Sequence, residues 1–195
     1  LGEARLAGGG QGRPRAGGSG RPCLDTVPVR RSFVEAGRIA SFDPGAAEMR
    51  ADSLLVLGGD CAPEGFDLAV AKGIVSAGIG GLGRQVVHRC REAARCEIEE
   101  LYRAHRIVAT VEPRLERMAR LMSRARLVIA PPDPSVWSEI AVMGKPSLLV
   151  GEVNATQIDD AIQSGATRAV PQRAALVAAS LGVLGVEREQ LIELG

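Results

Sequence analysis

From residue 54 onward, short apolar runs alternate with amphipathic stretches. Leu54-Leu55-Val56-Leu57 is continuous and apolar, and Gly58-Gly59-Asp60 closes it. A strand with one wet face alternates polar and apolar residues, so this run predicts a strand buried on both sides. Phe66 to Val75 predicts a helix, after which Gly78, Gly80, Gly81 and Gly83 interrupt the chain. Gln85 to His88 predicts a second strand. Arg91 to His105 predicts an amphipathic helix with Ile98, Leu101 and Tyr102 on one face. Arg106 to Val111 predicts a third strand. Pro113, at a favoured first helical position, opens a helix whose stripe is Leu115, Met118, Ala119 and Met122. Leu127 to Ala130 predicts a fourth strand, and Pro131-Pro132-Asp133-Pro134-Ser135 a compact turn. A helix over 135–143 is stopped by Gly144-Lys145-Pro146. Ser147 to Val150 predicts a fifth strand, 155–163 a helix and Ala169-Val170 a short sixth strand. Helices over 173–183 and 186–194 complete the pattern.

Alternating strands and helices predict right-handed crossovers and a parallel sheet. The fold class expected is α/β, a Rossmann-like parallel sheet of about six strands with helices on both faces. Residues 51–195 form this layer. Residues 1–26 read as an irregular Gly/Arg-rich tail, because so little apolar surface cannot offset the entropy of ordering. Residues 27–50 read as a linker, with Val27 to Arg30 extended, Ser32 to Ala40 as one or two helical turns, and Asp43-Pro44-Gly45 as a turn.

Composition narrows the function classes. A net charge of +1 gives no bulk attraction to nucleic acid or anionic lipid, and 3% aromatic residues supply few stacking platforms. No apolar run approaches the roughly 20 residues of a membrane span, and no signal-peptide pattern is present, so a cytoplasmic chain is expected. Cys23, Cys61, Cys90 and Cys96 form no C-x-x-C pair and read as reduced thiols; no metal or cofactor is expected. The glycines at 78–83 follow a helix and precede a strand, the wrong order for a dinucleotide fingerprint. Ligands of such sheets bind beyond the carboxyl ends of the strands, which points to the turns at 58–65, 88–90, 112–113, 131–135 and 151–157.

The order of motifs resembles a known family. Leu54 to Asp60 is similar to the strand and Gly-Gly turn that opens the C-terminal lobe of two-lobed glycosyltransferases. Met118 to Met122 followed by Ala125 to Ile129 resembles that family's M-x-x-L-M-x-x-A-D-L-x-I stretch. Ser135, Ser138 and Glu139, then Gly144 to Ser147, resemble its S-x-x-x-E-x-x-x-x-G-x-P-S pattern. Asn154 and Gln157, then Gly165-Ala166, resemble its N-Q…G-A. Val29-Arg30-Arg31-x-Phe33 is similar to the arginine-rich linker before the lobe in one subfamily. Over about residues 27–182 the chain resembles the C-terminal lobe of the UDP-sugar hydrolase of pseudaminic-acid synthesis, and more broadly the family-28 glycosyltransferase C-terminal domain.

The resemblance implies that this lobe grips the uridine diphosphate of a nucleotide sugar. It implies that an N-terminal lobe, as a partner in cis or in trans, brings the catalytic base, so the chain alone is expected to turn over little. It assigns nucleotide-sugar contacts to Gly58, Gly59, Asp60, Ser135, Glu139, Asn154 and Gln157, with Glu139 holding ribose hydroxyls. The residues themselves leave alternatives open. Gly58-Gly59 suits either close ligand approach or a plain strand-to-helix turn, and Asp60 either a cap or a hydroxyl acceptor. The family keeps glycines where this chain has Pro131, Pro132 and Pro134, which have no N–H to donate. Asp133 there is a natural N-cap ahead of Pro134, and Asn154 is also a natural N-cap. His88 and His105 have no acid or nucleophile partner in the sequence pattern and read as structural. A missing lobe leaves apolar surface for a partner or a homo-oligomer. The rival reading is a non-catalytic binding or assembly module with a degenerate nucleotide site; a third is another nucleotide-binding Rossmann-like domain.

Overall fold

The computed structural model describes residues 29–42, 53–79, 85–152, 162 and 167–181. Their elements are α1 (Arg31–Phe42), β1 (Ser53–Leu57), α2 (Phe66–Ser76), β2 (Gln85–Arg89), α3 (Glu92–Ala104) and β3 (Ala109–Glu112). They continue as α4 (Met118–Arg124), β4 (Ala125–Ala130), α5 (Pro134–Val142), β5 (Ser147–Val150) and β6 (Thr167–Val170), with 174–181 also helical. The strands form one six-stranded sheet in the order β3-β2-β1-β4-β5-β6, and every pairing is parallel.

The sheet is covered on both faces, and side-chain alternation sorts the core into two layers. Leu54, Val56, Val86, Leu127, Ile129, Leu148 and Val150 pack with Phe66, Val70 and Ile74 of α2, Ile98 and Tyr102 of α3, and Val177. Leu55, Leu57, Val87, Val128, Ala130 and Leu149 pack on the other side with Phe33 of α1, Met122 of α4, and Trp137 and Ile140 of α5. This is why the strands read as unbroken apolar runs: both pleat faces are dry, and each such side chain contributes about 1.5–3 kcal/mol on burial.

Three local differences from the sequence pattern have identifiable causes. The third strand starts at Ala109 rather than Arg106, because residues 105–107 are used to end α3. Arg106 is left-handed (φ 56°), its N–H donates to the Arg103 carbonyl (3.1 Å), and the Ile107 N–H donates to the Tyr102 carbonyl (2.9 Å). This is a helix stop of the Schellman type, with buried Ile107 as its apolar contact. Pro113 opens no helix: α4 begins at Met118, behind Arg117 in a left-handed conformation (φ 53°), so Leu115 packs from the loop. Thirdly, α1 lies in the stretch expected as a linker, yet it belongs to the second layer. Phe33 is buried there, and a Cβ on Gly37 would stand 2.6 Å from the Val142 carbonyl oxygen of α5. The expected tail (1–26), the turn at 43–45 and the helix at 186–194 lie outside the described residues. So does the helix at 155–163 apart from Ile162, which is helical.

The opposite layer is equally tight where α2 meets the last helical stretch. A Cβ on Gly73 would lie 2.6 Å from both Cβ and Cγ1 of Val177. Gly73→Ala gains about 1 kcal/mol of helix propensity but incurs roughly 1–3 kcal/mol of overpacking. Urea denaturation is expected to show a net loss. Val177→Ala in the same chain is expected to give a double variant more stable than the sum of the single changes, because the crowding is gone.

Candidate functional site

The strand order reverses between β1 and β4: β2 and β3 lie on one side of that pair, β5 and β6 on the other. Chains leaving β1 and β4 therefore cross opposite ways, and a crevice opens at their carboxyl ends, where ligands of such sheets bind. Two turns border it, Gly58–Gly65 after β1 and Pro131–Asp133 after β4. The β1 turn is closely tied. The Gly58 N–H donates to the Arg89 carbonyl (3.0 Å) and the Ala62 N–H to the Gly59 carbonyl (3.0 Å). Gly59 has φ 90°, a conformation that favours glycine. The turn after β5 closes on the β4 turn: a Cβ on Gly151 (φ 142°) would lie 3.0 Å from Cδ of Pro132.

Beneath the β1 turn sits a buried carboxylate. Asp67, in the first turn of α2, accepts the Gly59 N–H at Oδ1 (3.3 Å) and the Arg91 N–H at Oδ2 (3.2 Å). One side chain thus holds the turns after β1 and β2 together. Gly58 is glycine for the same reason, since its Cβ would fall 1.7 Å from Asp67 Oδ1. The first turn of α2 is also where a carboxylate is favoured by the helix dipole. His88 lies alongside, fully buried, with Nε2 3.6 Å from Asp67 Oδ1 and Nδ1 2.8 Å from the Tyr102 hydroxyl. The tautomer that suits both neighbours carries its proton on Nε2 and accepts from Tyr102 at Nδ1. At 3.6 Å the Asp67 contact is electrostatic rather than a hydrogen bond. Burial lowers the His88 pKa despite the opposing pull of Asp67, so the ring is held neutral. Burial also raises the Tyr102 hydroxyl and pushes the Cys90 thiol up to about 11, which leaves Cys90 without nucleophilic thiolate.

The β4 turn is capped by its own acid. Asp133 is the N-cap of α5, and its Oδ1 accepts the N–H groups of Ser135 (2.9 Å) and Val136 (3.1 Å) as well as the Ser135 hydroxyl. Its backbone carbonyl accepts the Trp137 N–H (2.9 Å). The amides that make a helix N-terminus an anion site are already bonded within the chain. Those bonds, the Ser135 hydroxyl first, hold the Asp133 carboxyl below the ordinary range.

Glu139 lies one turn further along α5, 13% exposed, and takes a bidentate pair from Arg30 at the start of α1: Nε to Oε1 at 2.6 Å, Nη2 to Oε2 at 2.9 Å. Arg30 also sits 4.6 Å above the Phe33 ring and is 64% exposed. The Glu139 bond raises the Arg30 pKa. A carboxylate has about four lone-pair sites, so two remain for a diol.

Of the residues singled out from sequence, Gly58 and Gly59 border the crevice, Asp60 is exposed beside them, and Ser135 and Glu139 share α5. Asn154 and Gln157 lie outside the described residues. His88, expected to have no acid partner, lies buried beside Asp67 and Tyr102, and His105 bonds its ring Nδ1 to the Leu101 carbonyl (2.9 Å). Sequence reading passed over Asp67. An acid inside an otherwise apolar helix start was its one visible signal. Among the described residues no cluster of His, Cys, Asp and Glu could hold a metal, and no helix is long and apolar enough to cross a membrane. The exposed large apolar side chains described, Val108 and Leu176, lie outside these turns, so the expected bare apolar cleft is not seen among the described residues.

No protein-family model matches the chain. Its sequence is 35% identical over 128 residues to the UDP-N-acetylglucosamine–N-acetylmuramyl-(pentapeptide) pyrophosphoryl-undecaprenol N-acetylglucosamine transferase of Sorangium cellulosum, a match covering 64% of this chain and 29% of that protein. The chain thus spans about a third of the length of the curated relatives it matches. Its fold is similar to part of Acinetobacter baumannii MurG (TM-score 0.56, 17% identity, 70% of this chain and 43% of that one). It is also similar to part of the Neisseria meningitidis UDP-GlcNAc 2-epimerase (TM-score 0.57, 14% identity, 81% and 44%). The fold class expected from the strand pattern is therefore the one observed, one lobe of a glycosyltransferase-B-type architecture.

The Asp133 cap and the buried His88 each carry a pH response. Asp133→Ala is expected to cost about 1 kcal/mol in urea denaturation at neutral pH. The Asp133 pKa is depressed, so the wild-type advantage is full above the ordinary value of 3.8 and fades as pH falls below it. His88 acts in a different window: an unfolded imidazole gains its proton near 6.5 while the buried one does not. Stability is therefore expected to fall as pH drops below about 6.5, by up to about 1.4 kcal/mol per unit, and His88→Gln is expected to remove that slope.

Proposed function

We propose that this chain is the nucleotide-sugar-binding lobe of a MurG-like glycosyltransferase, gripping the uridine diphosphate of a UDP-sugar at the carboxyl edge of its sheet. The observation that carries this reading is the 35% identity to a UDP-N-acetylglucosamine transferase over 128 residues, a stretch long enough to include most of the lobe. The site supports it: a Gly-Gly turn and a capped helix face each other across the switch point, and Glu139 offers a carboxylate to a ribose diol. A transferase is favoured over the hydrolase of pseudaminic-acid synthesis, because the sequence match is to a transferase. Bond cleavage would require an N-terminal lobe to bring the catalytic base, with the site of action in the cytoplasm.

The Asp133 cap favours a second reading, a binding or assembly module whose nucleotide site has decayed. Its carboxylate occupies the amides of Ser135 and Val136 that a phosphate would use. The two readings separate in calorimetric titration with uridine diphosphate, using adenosine diphosphate as control. Uridine-selective binding is expected, weakened about tenfold or more by Glu139→Gln, as expected for loss of a charged acceptor. Silence with both nucleotides would leave the assembly module. Replacing Pro132 and Asp133 by Gly and Pro134 by Ser frees the capped amides of α5; unchanged uridine-diphosphate affinity is expected if the diphosphate sits elsewhere along the sheet edge, and a tighter complex would place it at the β4 turn.

A further inference from the structure

We infer that Arg89 is the cation that receives the diphosphate, at the β1–β2 edge of the crevice rather than at the helix that follows β4; this rests on the nucleotide-sugar reading above. Arg89 is the last residue of β2, so its side chain starts at the carboxyl end of the sheet, beside the Gly-Gly turn. Its backbone is fixed there by the Gly58 N–H. Its guanidinium lies against the turn: a Cβ on Gly59 would stand 3.0 Å from Nε and 3.4 Å from Nη2. Glycine at 59 thus makes room for the arginine as well as for its own positive φ.

The cations around this edge differ in what they already hold. Arg91 donates to the Ala62 carbonyl, Arg30 is bound by Glu139, and Arg95 by Glu99 and Glu112. Among the described residues Arg89 has no acceptor, although a guanidinium carries five N–H donors and is only partly exposed here. Its planar fork matches phosphoryl oxygens in pairs. The β1–β2 edge carries acids of its own, Asp60 exposed beside the Gly-Gly turn and Glu112 as the β3 register partner of Arg89, but Glu112 is already paired with Arg95. The β4 turn presents Asp133, three prolines without N–H, and amides already bonded, which repel or ignore an anion. Asp67 completes the arrangement as a positioning residue, since it accepts the amides of Gly59, which the Arg89 side chain lies against, and of Arg91, two residues after Arg89.

The test uses the full 195-residue chain. Uridine diphosphate, uridine and inorganic pyrophosphate are titrated calorimetrically into wild type, Arg89→Ala and Arg89→Lys, with thermal melts to establish that each variant folds. The Arg89 Nε–H resonance is followed by NMR in parallel. The expected result is that pyrophosphate shifts this resonance. Arg89→Ala is expected to weaken uridine diphosphate and pyrophosphate about tenfold or more, to leave uridine unchanged, and to be partly rescued by Arg89→Lys. Undiminished uridine-diphosphate binding by folded Arg89→Ala would overturn the inference and leave the nucleotide-sugar reading standing. Pyrophosphate binding through Arg89 without uridine selectivity would do the reverse. No binding of any probe by wild type would overturn both.

Discussion

A sheet with no wet face is the constraint on which the rest of this molecule depends. In β1, Leu54 to Leu57 are all buried, and in β5 so is every residue, because helices cover both sides. Backbone groups there have no water to turn to, so the parallel ladder is obligatory and each crossover must place a helix on one face or the other. Glycine sets how close those helices come. Gly37 lets α1 reach the backbone of α5, and Gly73 lets α2 meet Val177.

The same covering sets the cost of polar groups inside it. Asp67 and His88 are both buried: the carboxylate accepts two turn amides, while the imidazole bonds Tyr102 at Nδ1 and leaves Nε2 without a hydrogen bond, 3.6 Å from the carboxylate. A buried carboxylate without such partners would be prohibitive. Here it converts two loose connections into a rigid rim, and the rim is the place where a parallel sheet of this order meets its ligands.

The β4 turn shows the opposite use of an acid. Asp133 satisfies the free amides of α5 and stabilises the fold, and in doing so it fills the place an anion would take. In the proposed site, anion recognition passes to a side chain that the described hydrogen bonds do not consume. Arg89 fits that description, and Glu139 retains capacity for hydroxyls while bonded to Arg30.

The sequence by itself determined the layer architecture, because burial on both faces and on one face write different periodicities, and those periodicities are local. It also marked the Asp133 cap, since cap, Pro134 and helix are contiguous. Boundaries were less legible where the chain competes with itself: residues 105–107 close α3 instead of starting β3, and only a left-handed Arg106 reveals it. The role of α1 was invisible because its partners, in α4 and α5, come some eighty to a hundred residues later. Asp67 with Gly59 and Arg91, Arg30 with Glu139, and Arg89 with Gly59 are likewise decided by tertiary structure alone. Arg89 meets Gly59, and Arg91 meets Asp67, because β2 lies beside β1, and strand order is a global property that no local spacing encodes.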